Sequence, residues 1–105
     1  MRLPKLIKYR NATIKLIKTP IDEARRGDFL GLYDPNENSI RISEEIKNKA
    51  EIAETLVHEI LHLIIDKSKR PVVSEEKTVD NLAKELIILL YRNKHILNFI
   101  KRCLK

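Results

Sequence analysis

Between Thr55 and Ile65 the chain reads TLVHEILHLII, an apolar run broken only by His58, Glu59 and His62. Neither proline nor glycine occurs from Lys47 to Lys69. Apolar residues recur nearly all round a helical wheel drawn over Leu56–Ile65, so this segment is expected to form a buried central helix within a helical pattern running from about Ser43 to Asp66. Three polar side chains in such a helix need a reason. Burying an unpaired carboxylate is costly, and three polar groups so close together require a strong common partner.

The spacing His-Glu-x-x-His supplies one. Residues four apart on a helix stand one above the other, with Cβ atoms about 5–6 Å apart. Two imidazoles so placed can reach one Zn²⁺ at about 2.0–2.1 Å. Glu59 falls about 100° round the helix from His58, off the face shared by the imidazoles. There it can take a proton from a water whose pKa the ion lowers toward about 7, and pass it to a leaving amine. The expected roles are His58 and His62 as metal ligands and Glu59 as catalytic general base.

A catalytic zinc takes a third protein ligand and keeps one position open. HLIIDKSKRP follows His62, so no third histidine extends the motif. The candidates on the next predicted helix are Glu75, Glu76, Asp80 and Glu85, with His95 more distant. The inward face of that helix is expected at Val79, Leu82, Ala83, Leu86, Ile87 and Leu90. Glu76 and Asp80 project from it, Glu75 shares it less well, and Glu85 points more outward. Geometry leaves Glu76 and Asp80 close, and acids in a first turn also complement the helix dipole.

The flanking segments frame a small α+β domain spanning residues 1–105. RNATIKLIKT (10–19) alternates and is β-branched, which predicts a strand ended by Pro20. Residues 21–29 form a short helix or a loop. LGLYD-PNEN-SIRIS (30–43) reads as a hairpin turning at Pro35, Asn36 and Asn38. Ser43, followed by Glu44 and Glu45, reads as the start of the long helix. Pro71 breaks it, Ser74 caps a second helix over about 75–92, and a third runs over about 95–104.

Charge is unevenly spread. The formal net charge is +6, with a basic excess in residues 1–26 and 67–105 and an acidic middle that contains the histidines. No aromatic interleaving or Gly-rich loop accompanies the basic ends, so nucleic acid is not the expected partner. Apolar runs are too short for a membrane span, and lysines interrupt the basic start, so it carries no signal-peptide core. The single cysteine, Cys103, excludes a disulfide framework and makes a reducing, cytoplasmic location the expectation.

The order of the hairpin, TLVHEILHLI and then SEEKTVDNLAKEL resembles small zincin-like metallopeptidases, especially the ImmA/IrrE group and its short phage- or mobile-element-encoded relatives. The resemblance covers roughly residues 30–93. It implies a zinc ion held by two helix histidines and a glutamate from the following helix, with the motif glutamate as base. The glutamate six residues before the Leu-Ala pair is Glu76, which the resemblance favours as third ligand, leaving Asp80 behind it. In such folds an edge strand before the active helix accepts an extended substrate, and Ser39–Ser43 is the expected strand. Tyr33, Tyr91, Arg92 and His95 are candidates for stabilising an oxyanion.

The leading expectation is a zinc-dependent metallopeptidase acting on a protein or peptide substrate, with a regulatory protein as one such target. A second reading is a non-catalytic, metal-stabilised protein-interaction module, in which Asp80 or His95 closes a four-ligand shell. A third is a nucleic-acid-binding accessory protein that uses the basic ends.

Overall fold

Alternating apolar and polar side chains set up the sheet. In the computed structural model, which describes residues 2–68 and 75–105, β1 (Leu6–Tyr9) and β2 (Ala12–Thr19) form an antiparallel hairpin around Arg10 and Asn11. Helix α1 (Ile21–Arg26) follows Pro20. A second hairpin joins β3 (Gly31–Asp34) to β4 (Ser39–Ser43). Its turn is held by Asp34 Oδ1, which accepts the N–H groups of Asn36 and Glu37 at 2.9 and 3.3 Å. The hairpins join through parallel pairing of β2 with β4, giving the order β1-β2-β4-β3.

The coarse expectation of an α+β fold holds, with four strands where the sequence suggested two or three. β1 was hidden in a lysine-rich start, although Ile7 and Tyr9 alternate inward and are both buried. Ser39–Ser43 is not an edge: β4 pairs on both sides, and the edges are β1 and β3.

Helix α2 (Lys49–Ser68) begins later than expected. Ser43 is still paired with Thr19 in the sheet. Its Oγ accepts the Glu45 N–H at 3.0 Å, and the Thr19 carbonyl accepts the Glu44 N–H at 2.9 Å. Residues 43–46 instead form a turn that ends β4, with the Ile46 N–H donating to the Ser43 carbonyl at 3.3 Å. Asn48 is the cap instead, its Oδ1 accepting the Glu51 N–H at 3.1 Å. Ala53, Leu56, Ile60, Leu63 and Ile64 form the buried stripe of α2 and pack against Ile7, Ile14, Ile40 and Ile42 of the sheet.

Helices α3 (Glu75–Arg92) and α4 (Lys94–Cys103) complete the described chain. The break at Pro71 and the cap at Ser74 lie outside the described residues. Ile96, Phe99 and Cys103 of α4 are buried in the core. Burial pushes the Cys103 thiol above its ordinary range. The inward face of α3 differs from the expected one: Glu85 and Leu89 are buried, while Val79 and Ile87 are 58% and 65% exposed. Glu85 turns in because its carboxylate accepts from the Tyr9 hydroxyl and from Arg10 Nη2, both at 2.6 Å. A buried carboxylate compensated by a guanidinium and a phenol is tolerable, and those partners sit on the first hairpin. Among the described residues, no helix is long and apolar enough to cross a membrane.

Candidate metal centre

One continuous helix carries His58, Glu59 and His62, but they divide between two environments. The stripe that buries Leu56, Ile60 and Leu63 also takes Glu59 inward, whereas both imidazoles face solvent. The side chain of His58 is 68% exposed and that of Glu59 only 9%. The expectation of a helix buried all round is thus corrected: His58, His62, Ile65 and Asp66 form an outward face of α2.

On that face the rings converge. His58 Nε2 and His62 Nε2 stand 3.2 Å apart, with ring centroids separated by 4.8 Å and planes inclined at 73°. Two nitrogens bound to one tetrahedral zinc at about 2.0–2.1 Å are separated by about 3.3–3.4 Å. The separation of the pair therefore matches that of two nitrogens on one such ion. Without one, the same separation accommodates a hydrogen bond in which one neutral ring donates and the other accepts.

Glu59 is fixed from the sheet side. Its Oε1 accepts the backbone N–H of Tyr33 at 2.9 Å, and its Oε2 lies 4.0 Å from His58 Nε2. The Ser43 N–H donates to the Leu30 carbonyl at 2.8 Å, so Leu30 and Leu32 direct their backbone groups toward β4. Gly31 and Tyr33, in alternation with them, direct theirs toward the outer edge. Glu59 thus occupies one position on that edge. The close approach depends on Gly31, where a Cβ would meet Thr55 Cγ2 at 2.5 Å and Glu59 Oε2 at 3.1 Å.

An open groove runs past these groups, lined by Gly31, Leu32, Tyr33, Pro35, His58, Glu59, His62, Ile65 and Asp66. The Tyr33 hydroxyl donates to Asp66 Oδ2 at 2.7 Å across it. Burial, and then the neighbouring Asp66 carboxylate, push the Tyr33 phenol above its ordinary range. Leu32 and Ile65 give the groove two exposed apolar walls, 39% and 51% exposed.

The remaining candidates lie elsewhere. Glu76 and Asp80 are exposed on α3 and do not line the groove. Glu85 is engaged by Tyr9 and Arg10. His95 Nε2 is 2.7 Å from the Leu6 carbonyl on β1, at the opposite sheet edge from β3. The side chain of Glu75 lies outside the described residues. Among the described residues, no group of three or more His, Cys, Asp and Glu is assembled to hold a metal ion. Of the four candidates for oxyanion stabilisation, only Tyr33 is at the groove; Tyr91 is 71% exposed, with Lys94 Nζ 5.3 Å from its ring centroid, and Arg92 lines a separate depression beside Glu85.

Sequence reasoning missed Asp66 and Gly31. Asp66 was within reach of it, because it follows His62 by four residues and so continues the His58–His62 row. Gly31 carried no such signal, since its role depends on the approach of β3 to α2. No protein-family model matches this sequence, and neither a curated protein nor a solved structure matches it.

Proposed function

We propose that this chain is a zinc-dependent metallopeptidase in which His58 and His62 hold the ion and Glu59 is the general base; Glu76 is the third ligand that the resemblance favours, although the described geometry does not bring it to the histidine pair. The observation that carries the reading is the 3.2 Å convergence of two solvent-facing imidazole nitrogens beside a buried carboxylate. A bound zinc ion would supply Lewis acidity and a nucleophile at neutral pH. The chain supplies the rest. Glu59 Oε2, on the side facing His58, receives and returns the proton, while the Tyr33 N–H holds Oε1 and fixes the carboxylate plane. The outward backbone groups of β3 offer an extended peptide a pairing edge. Leu32 and Ile65 favour apolar side chains beside the scissile bond, and a regulatory protein with such a segment is the class of target proposed.

The second reading, a metal-stabilised interaction module without turnover, is favoured by one observation: the Tyr33 N–H already engages Glu59. Elemental analysis of protein purified without chelators, combined with mass-spectrometric cleavage of a peptide library, separates the two. The peptidase reading expects one zinc per chain, lost in His58→Ala and His62→Ala and weakened in Glu76→Gln. Glu59→Gln should retain the zinc and lose cleavage. Stoichiometric zinc with no cleavage by the wild type selects the module, and absence of zinc removes both readings.

A further inference from the structure

Helix α3 leaves an apolar row uncovered among the described residues. Val79, Ile87 and Tyr91 are 58%, 65% and 71% exposed, and Ala83, also exposed, lies between the first two. Ala83, Ile87 and Tyr91 follow one another at four-residue steps, so they form a single ridge with Ile87 at its middle. Three exposed large apolar groups aligned on one helix are more than the scattered apolar residues of an ordinary surface.

The ridge complements itself. One end carries the acidic side chain of Asp80, and just beyond the other end Lys94, the first residue of α4, holds its ammonium over the Tyr91 ring at 5.3 Å. We infer that this face binds a second copy of the same chain, with the two α3 helices antiparallel about a two-fold axis at Ile87. In that register Ile87 meets Ile87 of the partner subunit. The small Ala83 leaves room for Tyr91 of the partner subunit, and Asp80 faces Lys94 of the partner subunit. Every contact occurs twice, as an isologous interface requires. A parallel pairing would instead place acid against acid and base against base. The groove bearing His58 and His62 has no residue in this row, so the interface leaves it open.

Sedimentation velocity over a concentration series tests the pairing, with circular dichroism checking that each variant is folded. The wild type should show a concentration-dependent monomer–dimer equilibrium. Asp80→Lys and Lys94→Glu should each raise the dissociation constant by about tenfold, because each turns two symmetry-related attractions into repulsions. The double variant, in which the charges are exchanged, should return to within about threefold of wild type. Ile87→Asp should be monomeric throughout. A wild type that is monomeric at every accessible concentration overturns the proposal, as does a dimer indifferent to Ile87→Asp. A dimer disrupted by Ile87→Asp but not rescued by charge exchange overturns the antiparallel register.

Discussion

The backbone N–H of Tyr33, on an edge strand, donates to Oε1 of Glu59, on the motif helix, at 2.9 Å. One carboxylate therefore has two duties: it joins β3 to α2, and it stands beside the histidine pair. A hydrogen bond from a backbone amide to a carboxylate contributes about 1.5–3 kcal/mol. Glutamine keeps an acceptor for that N–H and alanine does not. Glu59→Gln should therefore lower unfolding stability by about 1 kcal/mol or less, and Glu59→Ala by about 2–3 kcal/mol, by urea denaturation. The difference separates loss of chemistry from loss of structure. Equal losses in the two variants would show that the Tyr33 contact contributes nothing to stability.

Gly31 sets how close β3 comes to α2. Alanine is ordinarily better than glycine in a strand, so a destabilising Gly31→Ala must act through contact. The added methyl would lie 2.5 Å from Thr55 Cγ2 and 3.1 Å from Glu59 Oε2. Overpacking of this kind costs about 1–3 kcal/mol. Thr55→Ser removes the nearer atom, so in a Gly31→Ala background it should recover part of the loss. A four-variant cycle of urea midpoints checks this, and strict additivity of the two changes would place the cost elsewhere.

The histidine motif was legible because its information is local: a four-residue step puts two side chains on one face wherever the helix sits. Its surroundings were not local. Which side of α2 is covered depends on the sheet and the later helices, and hydropathy alone placed His58 and His62 inside although they face solvent. The edge strand was misassigned because parallel pairing of Leu16 with Ile40 leaves no local signature. The inward turn of Glu85 depends on Tyr9 and Arg10, distant in sequence. Ser43 has the chemistry of a helix cap, and its hydroxyl does accept a backbone N–H two residues on, but in a turn that ends a strand.

The contact between Tyr33 and Asp66 predicts behaviour in alkali. Burial first, then the hydrogen bond to Asp66, raise the Tyr33 phenol above its usual value of 10.0. Burial and Glu85 act likewise on Tyr9, outweighing the opposing influence of Arg10. Above pH 10 the unfolded chain releases protons that the folded chain retains. The stability linked to these phenols is therefore complete below about pH 10 and falls as pH rises beyond it. Absorbance titration near 295 nm should find Tyr9 and Tyr33 ionising above the ordinary phenol range. Asp66→Asn should bring the Tyr33 transition down while leaving that of Tyr9 in place. A Tyr33 transition unmoved by Asp66→Asn would rule out the carboxylate as a contributor.

Asn93 closes the other edge of the sheet. Its Oδ1 accepts the Lys8 N–H, and its Nδ2 donates to the carbonyls of Lys8 and Leu89, each at 2.8 Å. The side-chain amide thus pairs with β1 as a neighbouring strand would, from a position only 1% exposed between α3 and α4. Asn93→Ala leaves the Lys8 N–H and both carbonyls without this partner, which should cost about 2–4 kcal/mol. Asn93→Asp can still accept from Lys8, but it sets a carboxylate against two carbonyls and should be no more stable than the alanine variant near neutral pH. Native-state hydrogen exchange gives the local readout. The Lys8 amide should lose protection in Asn93→Ala by more than global destabilisation accounts for, whereas equal loss at Lys8 and at core amides such as Leu56 would mean that Asn93 supports the fold without pinning β1.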